Sequence, residues 1–311
     1  MWKKQMKCKG ENMMKSIKGA FPVLITPMDE FQEIDWNGVK QNVNYFIEQK
    51  VAGIIINGST GEFVSLSKKE RFKMVETVLK EVDGRIPVIV GTAAETTKET
   101  IEYTKHAEAH GADCALIINS YYCKPKEEEI YFHFKEISNA VNIPIMLYNN
   151  PFTSGVDMSI ELMLRIGKEC ENVTHIKESS GDIRKVRDLV RQGESAFQVF
   201  CGSEDLVMES YLVGATGWVS VAGNIVPGLV TKMYEHFQNG EFENAWEIND
   251  TILPLCEFLE GSGKYVQIVK RAMELHGQTG GPSRYPRLGL TQEEDQKLQQ
   301  ILLQITANSA V

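Results

Sequence analysis

The chain has 311 residues, 42% of them hydrophobic and 24% charged, the composition of a globular protein with room for one large domain or two small ones. A net charge of −9 leaves no basic surplus to neutralise phosphates, so nucleic acid is excluded as a general partner. No apolar run approaches the roughly 18 residues that cross a bilayer, so no membrane partner is expected.

Residues 1–18 are basic, with Lys3, Lys4, Lys7, Lys9, Lys15 and Lys18. They show neither the apolar stretch nor the small-residue cleavage site of a signal peptide. A disordered extension is expected there, with Met13 or Met14 as a candidate true start. A regular pattern begins at Gly19. Residues 20–26 (AFPVLIT) read as a strand, and 36–49 as a helix with Val39, Val43, Phe46 and Ile47 on one face. Residues 51–57 are a second strand. Ser67 then caps a helix, with Glu70 three residues on completing a capping box. A third strand is expected at 86–90. Thr96 and Glu99 form a second capping box before a helix to about His110. Strands follow at 114–119, 143–149, 174–177, 198–201 and 217–221, with helical patterns between almost all of them. After about residue 227 the chain reads as helices only, at 229–238, 242–261, 265–276 and 292–305, with an irregular connector over 278–290.

Eight short, near-continuously apolar strands alternating with helices suit a parallel sheet buried on both faces. The fold expected is α/β, a closed (β/α)8 TIM barrel over 19–238, with a C-terminal helical appendage over 239–311. A doubly wound open sheet is the alternative, but no G-x-G-x-x-G follows any strand. The six cysteines, Cys8, Cys114, Cys123, Cys170, Cys201 and Cys256, form no C-x-x-C and no zinc spacing with histidine. A reduced, cytoplasmic compartment is the simplest reading. Cys114 and Cys201 fall inside apolar strands and read as core.

Active sites of such barrels lie at the C-terminal ends of the strands. After the second strand comes Gly58-Ser59-Thr60-Gly61-Glu62, whose glycines and hydroxyls suit an anion cradle or simply a tight loop. After the fourth come Tyr121 and Tyr122, which read as wall or interface residues. After the fifth, Tyr148 is either core or a proton donor. The sixth ends at Lys177-Glu178-Ser179. A lysine titrates near 10.4 unless desolvated, and a neutral amine in a dry pocket attacks ketones. A lysine that reaches to solvent or pairs with Glu178 is the ordinary alternative. The seventh strand ends at Gly202-Ser203-Glu204-Asp205. Asp205 reads as a helix N-terminal charge, and Glu204 stays open as a polar substrate contact. No loop gathers histidines and carboxylates, so no metal is expected. One lysine, an anion-cradling loop, tyrosines and hydroxyls together fit Schiff-base chemistry on a small 2-oxo acid, with no cofactor beyond the covalent lysine adduct.

Four motifs carry a resemblance. Gly58-Ser59-Thr60-Gly61-Glu62 with Leu66-Ser67, Tyr121-Tyr122-x-Lys124-Pro125, Tyr148-Asn149-x-Pro151 with Gly155, and Ile176-Lys177-Glu178-x-Ser180-Gly181 resemble the dihydrodipicolinate synthase / N-acetylneuraminate lyase family, from about Gly19 to Thr291. The resemblance implies a lyase and usually a homotetramer of paired dimers. It implies Lys177 as the Schiff-base lysine and Tyr148 as the acid/base. Ser59 would relay protons, and Tyr122 would reach into the neighbouring subunit's site. Thr60 would hold the pyruvate carboxylate, and the backbone at Val219 would face the site. Gly58, Ser179, Gly202, Glu204 and Thr153 complete the candidate substrate contacts.

Departures bear on the substrate. Lysine-biosynthetic members carry an arginine where this chain has Thr153, and a hydroxyl cannot replace a bidentate guanidinium. Phe63, Lys68, Arg71 and Glu95 stand where lysine-inhibited members keep small, histidine or amide groups. The expected function is 2-oxo acid condensation, cleavage or dehydration of the 4-hydroxy-tetrahydrodipicolinate synthase type. Catabolic 2-keto-3-deoxy sugar acid aldolase or dehydratase, hydroxyproline-pathway deaminase and N-acetylneuraminate lyase-like activities are the alternatives. A non-catalytic 2-oxo acid sensor is the rival from another class.

Overall fold

Eight parallel strands form one sheet: β1 (Gly19–Pro22), β2 (Ile54–Ile56), β3 (Val88–Gly91), β4 (Cys114–Ile118), β5 (Ile145–Asn149), β6 (Val173–Glu178), β7 (Gln198–Cys201) and β8 (Gly217–Ser220). The computed structural model describes residues 16–193 and 197–309. Neighbours in the sheet run β1-β8-β7-β6-β5-β4-β3-β2. The remaining seam is joined by a bridge between Val23 and Ile55 and a 2.8 Å hydrogen bond from Leu24 N to Ile55 O. The (β/α)8 barrel expected from the strand–helix alternation is the fold. Of the basic stretch, residues 1–15 lie outside the described residues. Ile17 is buried at 5% exposure in the barrel's inner core, so ordered packing starts ahead of Gly19.

The strands are shorter than the apolar runs suggest. Pro87 and Pro144 have no N–H for the ladder. Their carbonyls still accept from Ile54 N and Ala115 N, at 3.0 and 2.9 Å, so β3 and β5 begin just after them. Ser67 and Glu70 make the complete capping box. At Thr96 only half of one forms: its hydroxyl accepts from Glu99 N, while the Glu99 carboxylate takes the Thr96 hydroxyl instead of the backbone.

Alternation along each strand feeds two cores. Ile54, Ile56, Ile145, Leu147 and Ile176 pack outward against the helices. Phe21, Ile55, Ile89, Leu116, Met146, Phe200 and Val219 fill the barrel interior. Phe21 and Phe200 meet edge to face at 6.0 Å. Gly217 is needed beside them, because a Cβ there would sit 2.2 Å from the Phe200 ring. The same alternation orients β6. His175 touches the Phe200 ring at 5.9 Å inside the barrel, Ile176 turns outward, and Lys177 turns inward at the strand's C-terminal end.

The C-terminal helices Phe242–Gly261, Tyr265–Leu275 and Gln292–Ser309 share the outer core through Leu255, Leu259, Ile268 and Leu298. They are also tied to the β2 loop. Glu62 adopts a left-handed conformation (φ 59°) and is fully buried, with the Lys270 ammonium 2.6 Å away and 2% exposed. Lys270 also donates to Pro282 O at 2.7 Å, and Glu62 accepts from Arg284 N at 3.1 Å. The Arg284 guanidinium grips Glu70, the capping-box residue, and holds its carboxyl down to about 2. A buried pair of this kind fixes geometry more than it adds stability. Here it fixes the β2 loop against the chain's last third.

Candidate active site

A cavity of about 750 Å³ opens at the C-terminal ends of the strands. Its floor comes from the β2 loop (Gly58, Ser59, Thr60), the end of β5 (Tyr148, with Asn150 just past it), the end of β6 (Lys177, with Ser179 just past it) and the turn after β7 (Gly202, Ser203, Glu204). Its outer wall comes from the C-terminal helices, through Glu257, Glu260 and Tyr265. The barrel therefore brings together residues scattered over two hundred positions of sequence.

Lys177 is 7% exposed, and its ammonium nitrogen lies 4.0 Å from the centre of the Tyr148 ring. The two residues are register partners across β5 and β6. Glu178, one residue on, faces the other way. Its carboxylate accepts from Asn149 Nδ2 at 2.9 Å and from Ser180 N at 2.6 Å. Pairing of Lys177 with Glu178 is thus not how this lysine is held. Burial raises the Glu178 pKa, against the hydrogen bonds from Ser180 and Asn149. Asn149 also binds Asp157 and accepts from Met158 N, so a polar network fixes the ends of both strands. Tyr148 is 6% exposed, and its phenol oxygen accepts from Asn150 Nδ2 at 2.8 Å. Its own proton remains free to go elsewhere.

Beside this pair the β2 loop presents donors. The backbone N–H groups of Ser59 and Thr60 donate to no acceptor among the described residues, and Thr60 is 3% exposed. Buried free donors are costly, and an anion satisfies them. The loop is pinned by Thr26 Oγ1 to Gly61 O at 2.7 Å. Ser179 Oγ is also buried and unpartnered. Gly202 permits this crowding: a Cβ there would stand 1.9 Å from Ser179 Oγ and 2.8 Å from Lys177 Cε.

Glu204 is 3% exposed and bonds Val221 N and Ala222 N at 2.7 and 2.8 Å. Burial pushes its carboxyl up to about 8, opposed by those two N–H groups and by Lys177 and reinforced by Glu260. Glu260 accepts from Glu204 N at 2.8 Å, and its own pKa is raised, first by burial and then by Asp205.

Other expected residues lie further out. Thr153 lines the cavity on the short turn Pro151–Ser154 and is exposed. Val219 is fully buried in the barrel interior and does not line the cavity, and Val221 is the β8-side residue that does. Tyr122 does not line its own chain's cavity; its side chain is 88% exposed. Arg71 is buried, with its guanidinium 3.8 Å over the Tyr103 ring and bonded to Gly91 O and Ala93 O. Among the described residues one trio with metal-ligand spacing, Glu76, His106 and His110, lies on the outer helices and lines no part of this cavity. The sequence reading missed Asn150, Glu257, Glu260 and Tyr265. Asn150 was legible as the variable position of its motif. The others sit in a helical stretch with no motif to mark them.

Comparison with known proteins agrees with this geometry. Residues 16–305 match the dihydrodipicolinate synthetase family. A 4-hydroxy-tetrahydrodipicolinate synthase of Oceanobacillus iheyensis is 34% identical over 90% of this chain and 94% of that protein. One from Methanopyrus kandleri is 35% identical over 87% and 90%. The crystal structure of the chloride-inhibited dihydrodipicolinate synthase of Acinetobacter baumannii complexed with pyruvate superposes with a TM-score of 0.89 at 31% identity, covering 94% of this chain and 99% of that one. With an enclosed lysine at the end of β6 and the matching family over nearly its whole length, the chain belongs to the dihydrodipicolinate synthetase family of lyases.

Proposed function

We propose that Lys177 forms a Schiff base with pyruvate or another small 2-oxo acid, and that the chain makes or breaks a bond at C3 of that acid. The amine attacks C2 and water leaves, giving an imine. Loss of a C3 proton gives an enamine, whose C3 adds to the carbonyl carbon of an aldehyde. The carbonyl oxygen takes a proton, water hydrolyses the imine, and Lys177 is released. Cleavage runs the same steps backwards, and loss of a hydroxyl from a longer substrate is the dehydration variant. Tyr148 moves protons at the imine, with Ser59 and the partner subunit's Tyr122 as relays. Thr60, with Gly58 and Ser59, takes the carboxylate of the 2-oxo acid. Ser179, Gly202, Glu204, Thr153 and the backbone at Val219 surround the rest.

The observation that carries this reading is the enclosed Lys177 nitrogen, 4.0 Å from the Tyr148 ring, in the same cavity as the unpaired Thr60 N–H. No metal or cofactor is needed for these steps. The pyruvate in the Acinetobacter baumannii structure supports the choice of acid. The exposed Tyr122 ring supports a homotetramer of paired dimers, and the cysteine usage supports a cytoplasmic location. We take residues 19–238 as the catalytic barrel and 239–311 as the helical part that walls its mouth.

Borohydride reduction in the presence of pyruvate tests the proposal. A stable pyruvyl adduct is expected on Lys177 by peptide mass mapping. An unmodified Lys177 under saturating pyruvate removes the Schiff base. An adduct without turnover on any aldehyde or 2-oxo acid would favour the sensor. Activity unchanged by excess chelator is expected, and its loss would point to a metal-dependent aldolase.

A further inference from the structure

Away from the cavity, two neighbouring outer helices, Lys68–Val82 and Thr97–Ala109, share a cluster of metal-ligating side chains. The first helix brings Glu76. The second brings His106 and, at its C-terminal cap, His110. Two histidines four residues apart stand on one helix face. One ligand atom from each of the three residues lies within 4.8 Å of the others. His106 Nε2 is 3.2 Å from Glu76 Oε1, and His110 Nε2 is 4.0 Å from the same oxygen. Metal bonds of about 2.0–2.1 Å at tetrahedral angles set ligand atoms roughly 3.3 Å apart. The trio is close to that spacing, and small side-chain rotations complete it.

Two features go beyond proximity. His110 Nδ1 lies 2.8 Å from His106 O. A carbonyl only accepts, so Nδ1 carries the proton, and in the neutral ring Nε2 carries the lone pair. That lone pair has nothing to give the Glu76 carboxylate, whereas a cation between them satisfies both. The His106 ring, in turn, lies flat on Phe72, with centroids 3.8 Å and planes 3° apart. Phe72 stands one turn before Glu76 on the same helix, so packing sets the imidazole towards the carboxylate before any ion arrives. His106 is largely covered, while His110 and Glu76 face solvent, which leaves a path for an ion and a fourth position for water.

We infer that Glu76, His106 and His110 form a binding site for a divalent transition metal of the Zn2+ class, which clips the two helices together. Two imidazoles and one carboxylate suit Zn2+, Ni2+ or Cu2+; Mg2+ and Ca2+ take oxygen ligands. A metal on His106 Nε2 puts that ring's proton on Nδ1, which is buried with no acceptor among the described residues. This cost holds the affinity below that of a four-ligand structural site with a complete outer shell. The trio lines no part of the active-site cavity, so the inference stands apart from the Schiff-base reading.

The test uses the full-length protein, freed of metal with a chelator and dialysed, at about pH 7.5, where ordinary imidazoles are neutral. Zn2+ titrated in a calorimeter should bind at about one ion per chain, with a dissociation constant of roughly 1–10 µM. Zn2+ at about 100 µM should raise the thermal midpoint by about 2–5 °C, and Mg2+ at that concentration should leave it unchanged. His110→Ala should weaken binding by at least about tenfold and cancel the rise. Glu76→Gln, which keeps the His106 ring on Phe72, should also weaken it about tenfold. Turnover and the borohydride adduct should be the same with and without Zn2+. No binding at 100 µM overturns the inference. Equal binding and an equal rise in both variants place the ion elsewhere and overturn it too. A change in turnover that follows Zn2+ occupancy and is absent from His110→Ala overturns the purely structural role.

Discussion

The floor of the cavity and its outer wall are built differently. The floor stands on strand ends. Its side chains are buried and held by register partners, short turns and the Asn149 network. The wall is one helix and the start of the next, and Glu257 and Glu260 are exposed on it. The difference teaches a division of labour. Bond making asks for atoms fixed to within a fraction of an ångström, which packed strands supply. Choice of reactant asks only for charge and shape, which an exposed helix can change without disturbing the floor.

The largest test of that division is Lys177→Ala. Turnover should fall to background, roughly a thousandfold or more, with the circular dichroism and thermal midpoint retained. Loss of folding together with loss of turnover would mean that the floor cannot be separated from the barrel's stability. Tyr148→Phe comes next. The ring that Lys177 approaches at 4.0 Å is kept and only the phenol is lost. A fall of about 10²–10⁴-fold in kcat is expected, with slower formation of the borohydride adduct. Unchanged kcat would transfer the proton to another group and leave Tyr148 as packing.

Lys270→Met asks whether the wall also supports the floor. It strands the buried Glu62 carboxylate next to the β2 loop, with Arg287 as the nearest remaining cation at 3.7 Å. A loss of about 3–5 kcal/mol is expected by urea unfolding. The double variant Glu62→Gln with Lys270→Met should recover part of it, because no charge is then left unpaired. If the single variant is as stable as the parent, the C-terminal helices are not anchored through this pair.

How much was legible in the sequence follows the same line between floor and wall. The eight strands and the barrel they form came from apolar runs and turn residues, signals confined to a few neighbouring positions, whereas a Lys177 reaching to solvent stayed open until the strand's alternation was seen in place. Strand limits were less legible at Pro87 and Pro144, where a missing N–H shortens the ladder without changing the apolar pattern. Lys177 and Tyr148 were legible because strand ends and short motifs mark them. Glu260 and Tyr265 were not, because their place in the site depends on how a late helix docks across the mouth, a contact far apart in sequence. In the sequence Glu62 closes a loop that suits either an anion cradle or a tight turn. It proved to be the buried partner of Lys270, 208 positions later, a pairing that no local pattern announces.

Glu204 stands at the boundary between the two regions, and its titration gives the finest test. Burial raises its folded pKa to about 8, while in the unfolded chain it titrates near 4.3. The folded state thus holds a proton that the unfolded state gives up. Stability from this source is complete below about pH 4 and is lost as pH rises through 8, because the unfolded chain gains by ionising first. The facing groups are Glu260, which raises the value, and Lys177 with the Val221 and Ala222 N–H groups, which lower it. Over pH 5–8 the parent enzyme should lose about 2–4 kcal/mol more than Glu204→Gln, measured as the difference between two denaturant series. Carboxylates remote from Glu204 titrate alike in both proteins and cancel, and Glu260, which faces it, is held out of the comparison by carrying Glu260→Gln in both. Parallel curves would mean that the two backbone donors outweigh burial and that Glu204 is a fixed anion of the floor. Diverging curves would make it a neutral donor at the working pH, continuous in chemistry with the hydroxyls of Ser59 and Ser179.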